Sequence, residues 1–234
     1  MNGPELAICG SNLGGDVPFS VAVRTADGRT FAQRTPPGGR VELPVLVAAA
    51  CAEAGLRPAD LRAVRLDLGP GSYTGLRVVV TFVRFLQHFG GVAVQALDSL
   101  ALLAARARPS SSSSSSSAAA AAPAPVRVRP LLDARRERFH TALYEVPAQG
   151  ALALLEEPAA LPWNDVLARV APGDVVVLPA SLLAQRGSEL GARGAVLQAA
   201  NEVLASELFA AGLPFAAATT ADLEPRYLMA SYAD

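Results

Sequence analysis

The chain has 234 residues, of which 51% are hydrophobic and 18% charged, and its formal net charge is −1. That composition supplies a sizeable core, in one large domain or two small ones, and gives no overall pull toward nucleic acid or membrane. All 20 basic residues are arginine, which excludes a Schiff-base lysine and the lysine of a Walker phosphate loop.

The opening residues contain no basic region followed by a long apolar run, so no signal peptide is expected. No apolar stretch reaches the ~18 residues of a membrane span. Cys9 and Cys51 form no CxxC pair, and reduced thiols in a cytoplasmic protein are the expectation. ELAICGSN (5–12) reads as a strand leaving into a Gly-rich loop. Residues 19–35 read as a hairpin turning at Asp27-Gly28. A helix is predicted from about Leu43 to Ala54, with Pro44 in its first turn and Gly55 ending it. A strand near Val64–Leu68 runs into GPGSYTGLR, followed by a helix from about Gly75 to Phe89, the strand GVAVQA, and a helix with Asp98 as its N-cap.

Pro109–Pro125 is a Ser/Ala/Pro tract without apolar period and reads as a linker. Beyond it, VRVRPLLDARRERFHTALYEV reads as two strands around a charged turn, and NDVLARV, DVVVLP, SLLAQRG and NEVLASELFAAG continue the α/β alternation. The resulting division is 1–108 as a first lobe, 109–125 as linker, 126–221 as a second lobe, and 222–234 as a tail packing back on the first lobe. No internal sequence repeat is visible.

The loop Gly69, Pro70, Gly71, Ser72, Tyr73, Thr74, Gly75 and Arg77 poses the chemical question. A phosphate cradle places backbone N–H groups at a helix start. Here Gly75 is followed by Leu76 and Arg77, so the Walker pattern fails, and Thr74 stands at the third glycine of the dinucleotide pattern. Pro70 removes a donor. The other reading is a tight strand-to-helix turn, with Gly69 and Gly71 in unusual dihedrals and Ser72 or Thr74 capping the helix. On that helix Arg77, Thr81, Arg84, Gln87 and His88 share one sector, and apolar residues fill an arc of roughly 220°. A surface helix needs a stripe of only ~100° to cover its own core. One stripe holds Leu76, Val79, Val83 and Leu86; the other, Val78, Phe82, Phe85 and Phe89, is either sandwiched within the domain or a partner face. His88 and His140 form no paired metal motif. Arg106, Arg108, Arg127, Arg129, Arg135, Arg136 and Arg138, against Asp133 and Glu137, are either an RNA-backbone patch or a solvated edge.

GPGSYTGLR, followed by a helix, a strand and ALDSLALLA, closely resembles the signature of the TsaB (YeaZ) family of tRNA threonylcarbamoyladenosine biosynthesis. DARRERFHTALYEV resembles the family's Asp-Ala-Arg turn (here Asp133, Ala134 and Arg135), and PRYLMASYAD its closing segment. Cys9 stands where the family has an Asp, and the loop's helix is more aromatic than usual, so the chain is identified as a divergent member. The resemblance implies an α/β, two-lobed, ribonuclease-H-like (actin-like ATPase) fold with mixed sheets flanked by helices. It also implies a non-catalytic scaffold that pairs through its first helices with a TsaD-like protein or with a second copy. A TsaE-like ATPase is a further implied partner, tRNA is met only indirectly, and no catalytic, cofactor or metal-binding residue is assigned. The rival readings are a glycopeptidase-like or ATPase-like enzyme of the same superfamily, and a stand-alone homodimer with a lapsed role.

Overall fold

The computed structural model describes residues 3–12, 19–36, 39, 42–108, 124–200 and 203–228. Most of the expected linker, through Pro123, and the last residues of the C-terminal motif lie outside the described residues. In chain order the strands and helices are β1 (Glu5–Cys9), β2 (Ser20–Arg24), β3 (Thr30–Arg34), α1 (Leu43–Glu53), β4 (Ala63–Asp67), α2 (Tyr73–Gly90), β5 (Ala93–Leu97) and α3 (Ser99–Ala105). They continue with β6 (Val126–Asp133), β7 (Arg138–Val146), β8 (Ala153–Pro162), α4 (Trp163–Arg169), β9 (Val175–Pro179), α5 (Ala180–Ala192), β10 (Val196–Ala200) and β11 (Ala216–Ala217).

The chain divides into two compact units. The first comprises Met1–Leu102, Asn201–Ala210 and Phe215–Asp234; the second comprises Leu103–Ala200 and Ala211–Pro214. The first unit is therefore assembled from both ends of the chain, and its C-terminal part begins upstream of residue 222.

In the first unit the sheet order is β11-β5-β4-β1-β2-β3. β1, β2 and β3 form an antiparallel meander, and β4 and β5 continue it in parallel. The meander turns at Gly28 (φ +88°), where Thr25 N–H donates to Arg29 O at 2.9 Å. β1 is central and all five of its residues are buried, as expected for a strand covered on both faces. Edge strand β3 alternates exposed and half-buried residues. α1 begins at the predicted Leu43 and stops before Gly55 (φ +69°). The core gathers Leu6, Ile8, Val23, Leu66, Val79 and Leu223.

The second sheet runs β10-β9-β6-β7-β8, again an antiparallel meander extended by two parallel strands. Its core holds Leu131, Phe139, Trp163, Val176 and Leu178 under α4 and α5. The order β-β-β-α-β-α-β thus occurs twice, although no repeat is legible in the sequence.

The return segment closes the first unit. Ala205 N–H donates to Ser20 Oγ (2.9 Å). Glu5 receives Arg24 at 2.6 Å and Arg65 at 3.4 Å, and both guanidinium groups lie over the Phe209 ring, at 4.3 and 5.8 Å. A buried carboxylate needs such partners.

The charged turn between β6 and β7 holds three consecutive non-glycine residues in the left-handed region: Arg135 (φ 65°), Arg136 (52°) and Glu137 (57°). Each such residue costs roughly 1–2 kcal/mol, against which the turn forms bonds from Arg135 N–H to Asp133 Oδ1 (2.7 Å) and from Ala134 N–H to Arg138 O (2.9 Å). Glycine adopts this conformation freely. Glu137→Gly is therefore expected to stabilise the protein by about 1 kcal/mol, raising Tm by roughly 2–4 °C in thermal unfolding.

Candidate functional site

The loop after β4 is organised by one carboxylate. Asp67, the last residue of β4, is wholly buried, and burial raises its pKa above the usual carboxylate value. It accepts the Gly10 N–H at 3.2 Å and the Ser99 hydroxyl at 2.9 Å. Ser99 Oγ in turn accepts the Gly69 N–H at 3.0 Å. The turn after β1, the loop after β4 and the start of α3 are thereby tied together. Cys9 lies beside them, its Sγ 3.6 Å from Ser11 Oγ; burial, then the Asp67 charge, raises its thiol pKa.

The glycines let these backbones approach. Gly69 has φ +104° and joins Pro70 through a cis peptide. Gly71 does not have the positive φ expected of it. It is required for space, because a Cβ there would stand 2.5 Å from Ser11 Cβ and 2.8 Å from Ser11 Cα. At Gly75 a Cβ would run into the Gly10 carbonyl. Ser72, not Thr74, caps α2, accepting the Gly75 N–H at 3.2 Å, while Ser72 N–H donates to Ser11 O at 2.7 Å. The donors of Gly10, Gly69, Ser72 and Gly75 are thus spent inside the protein, as in a tight turn. Tyr73 and Arg77 face outward and bind each other, with Arg77 donating to the Tyr73 hydroxyl at 2.6 Å.

α2 has two apolar sides. Leu76, Val79, Val80 and Val83 are buried in the first unit's core. Val78, Phe85 and Phe89 are exposed by 40, 59 and 75%, with Phe85 and Phe89 stacked at 5.7 Å. Phe82 departs from its predicted stripe: it is half-buried, packed against the core with Leu86. α1 contacts α2 and adds exposed Val45. His88 is exposed and meets Phe89 edge-on at 4.6 Å.

Asp133, Ala134 and Arg135 belong to the β6–β7 turn of the second unit. Four of the seven arginines clustered in sequence are held by partners within the second unit. Arg129 is buried and pairs with Glu156 through two bonds of 2.9 and 3.0 Å; Arg127 meets Asp174 at 2.9 Å; Arg108 donates to Pro147 O at 2.8 Å; Arg138 donates to Ala160 O at 2.6 Å. Alternation along β6 had no means of revealing that Arg129 points inward.

Sequence reasoning missed Asp67, Ser99 and Arg226 as parts of the loop's environment. Asp67 lies inside an ordinary strand pattern, and Ser99 is 32 residues away in sequence. Asp98 does accept the Leu100 N–H (2.7 Å), as its N-cap reading requires, and it also pairs with Arg226 at 3.5 Å. Among the described residues, no three His, Cys, Asp or Glu side chains group as metal ligands, and no helix is long and apolar enough to cross a membrane.

Two mixed sheets, each a three-stranded meander extended by parallel strands and flanked by helices, define the ribonuclease-H-like (actin-like) class. A family profile described as "TsaD: tRNA N6-adenosine threonylcarbamoyltransferase" matches residues 40–223, and the chain belongs to that family. It shares 31% identity over 90 residues with the "tRNA threonylcarbamoyladenosine biosynthesis protein TsaB" of Bacillus subtilis (strain 168), an alignment covering 38% of this chain and 33% of that one. The chain thus spans about a third of the length of the curated relative it matches. Two Pseudomonas aeruginosa structures share the fold: "an uncharacterized protein with similarity to peptidase YEAZ" (TM-score 0.72) and "YeaZ" (0.71). Each is 23% identical and aligns over 97% of this chain and 100% of its own. The TsaB (YeaZ) likeness read from the Gly69–Arg77 motif accordingly stands.

Two tests follow from this geometry. Gly71→Val should destabilise the protein by about 1–3 kcal/mol or more through overpacking against Ser11; unchanged thermal unfolding would show that the approach is not tight. Burial raises the Asp98 pKa to about 6, against ~3.9 in an unfolded chain. Its contribution to stability is therefore full below about pH 4 and lost as pH rises through about 6. His140, lowered to about 4 by burial, runs the opposite way. The difference between parent and Asp98→Asn isolates Asp98, and denaturant unfolding across pH should show a gap of up to about 3 kcal/mol opening in the variant's favour as pH rises.

Proposed function

We propose that the chain is a non-catalytic scaffold subunit that pairs with a TsaD-like protein in threonylcarbamoyl transfer to adenosine 37 of tRNA. The observation that carries this reading is the second apolar side of α2. Its inner side fills the core through Leu76, Val79 and Val83, yet Val78, Phe85 and Phe89 stand in water. A soluble chain that keeps stacked phenylalanines on a helix face has a use for them as a docking surface. The spent donors of the motif loop support the same reading, because the loop then serves to place α2. Phe85 and Phe89 are the anchors, with Val78 and, at the edge, Phe82 beside them. A second copy of this chain is the alternative occupant, since one apolar face can meet itself across a two-fold axis.

Two charge insertions on one helix test this. Val79→Glu buries an unpaired carboxylate, costs several kcal/mol, and should unfold or aggregate the protein. Phe85→Glu should fold, melt near the parent temperature and lose association by orders of magnitude, because the same carboxylate would be buried only in the complex. Thermal unfolding, sedimentation of the chain alone and sedimentation with the TsaD-like protein of the same host read the three quantities. A folded Phe85→Glu chain that still binds as the parent does would remove the helix face from the proposal. Deleting the gene and finding the modified adenosine unchanged in tRNA would remove the function.

A further inference from the structure

The C-terminal segment runs antiparallel along α2, on the flank away from the exposed phenylalanines. β11 pairs with β5, and Ala218 N–H donates to Val94 O at 3.0 Å. Gln87 of α2 donates to Ala218 O at 2.9 Å and accepts the Thr220 hydroxyl at 2.8 Å. Leu223 is wholly buried in the first unit's core. Beyond it the attachments change in kind. Glu224 stands 3.9 Å from Arg84, an exposed pair. Arg226 N–H donates to Leu68 O at 2.7 Å, and its half-exposed guanidinium lies 3.5 Å from Asp98 Oδ2. The Tyr227 ring rests on the Tyr73 ring at 5.0 Å, both about half exposed. The strap crosses where Gly69 leaves room: a Cβ on Gly69 would stand 3.1 Å from Arg226 O.

We propose that Glu224–Leu228 is a strap that opens and closes about its Leu223 anchor, with Arg226 and Tyr227 as the latch that orders the Leu68–Leu76 loop and the first turn of α2. Half-exposed ion pairs and ring pairs are weak individually, whereas Leu223 is held by the core. The segment beyond the anchor therefore opens without unfolding the unit, as low-stability segments do. Closing satisfies the Leu68 carbonyl, covers Gly69 and sets Arg226 against the buried Asp98. Opening removes all three restraints from the loop at once. The strap concerns the free chain and does not depend on what docks at α2.

Hydrogen exchange on the full chain tests the strap. In the parent, amides of 224–228 should exchange at least about tenfold faster than those of β1, whose opening requires the whole unit. In the double variant Arg226→Ala/Tyr227→Ala, exchange in 68–76 should rise by about tenfold or more while β1 and β4 stay within about twofold of the parent. Arg226→Lys/Tyr227→Phe keeps the charge and the ring and should behave as the parent. Fast exchange confined to 224–228, with 68–76 unchanged, would make the segment a passive tail and overturn the latch. Acceleration of β1 together with the loop, or parent strap amides as slow as β1, would make it part of the core and overturn the strap.

Discussion

The geometry around the motif loop depends on the need of one buried carboxylate for partners. Asp67 ends a central strand with no exposure to water. A carboxylate so placed is stable only with donors around it, and the donors come from the turn after β1 and, through Ser99, from the start of α3. Once those segments have converged on it, little freedom remains in where α2 begins. The direction of α2 then decides which of its residues meet the sheet. Val79 and Val83 pack in the core, while Phe85 and Phe89 stand in water.

Such convergence requires three backbones within contact distance, which explains the glycines. Gly71 and Gly75 are where a side chain would strike Ser11 and Gly10. The same closeness accounts for the loop's chemistry. Backbone N–H groups at a helix start attract phosphate when they are unsatisfied, and here Asp67, Ser99, Ser11 O and the cap Ser72 take those of Gly10, Gly69, Ser72 and Gly75.

The two units share one connectivity and use it differently. In the first, polar groups are buried at the loop ends and the chain's C-terminal residues return to finish the structure, with Arg24, Arg65, Phe209 and Glu5 holding the return segment. In the second, Arg129 is buried within the sheet against Glu156, and the meander's first turn carries three left-handed residues. A breach of its bidentate pairing would leave a charge in the core, which costs far more than a surface pair gains. These differences leave little common sequence, which is why the duplication is visible only in topology.

The sequence by itself determined the features governed by near neighbours. α1 and α2 were legible to within two residues because Pro44, Gly55 and Ser72 mark their ends locally, and the Asp27-Gly28 hairpin because its turn demands a positive φ. The two-stripe character of α2 was legible from helical period alone. Tertiary structure decided what depends on residues far apart in the chain. Which stripe of α2 is inside, and the half-burial of Phe82, rest on the core that strands and helices distant in sequence build beneath the helix. The role of Gly71 rests on Ser11, 60 positions earlier in the numbering. The membership of residues 203–210 and 215–228 in the first unit rests on Phe209 and Leu223 finding strands formed much earlier in the chain. Periodicity records which face is apolar, but not what will arrive to cover it, because that is fixed by packing between segments that carry no local trace of one another.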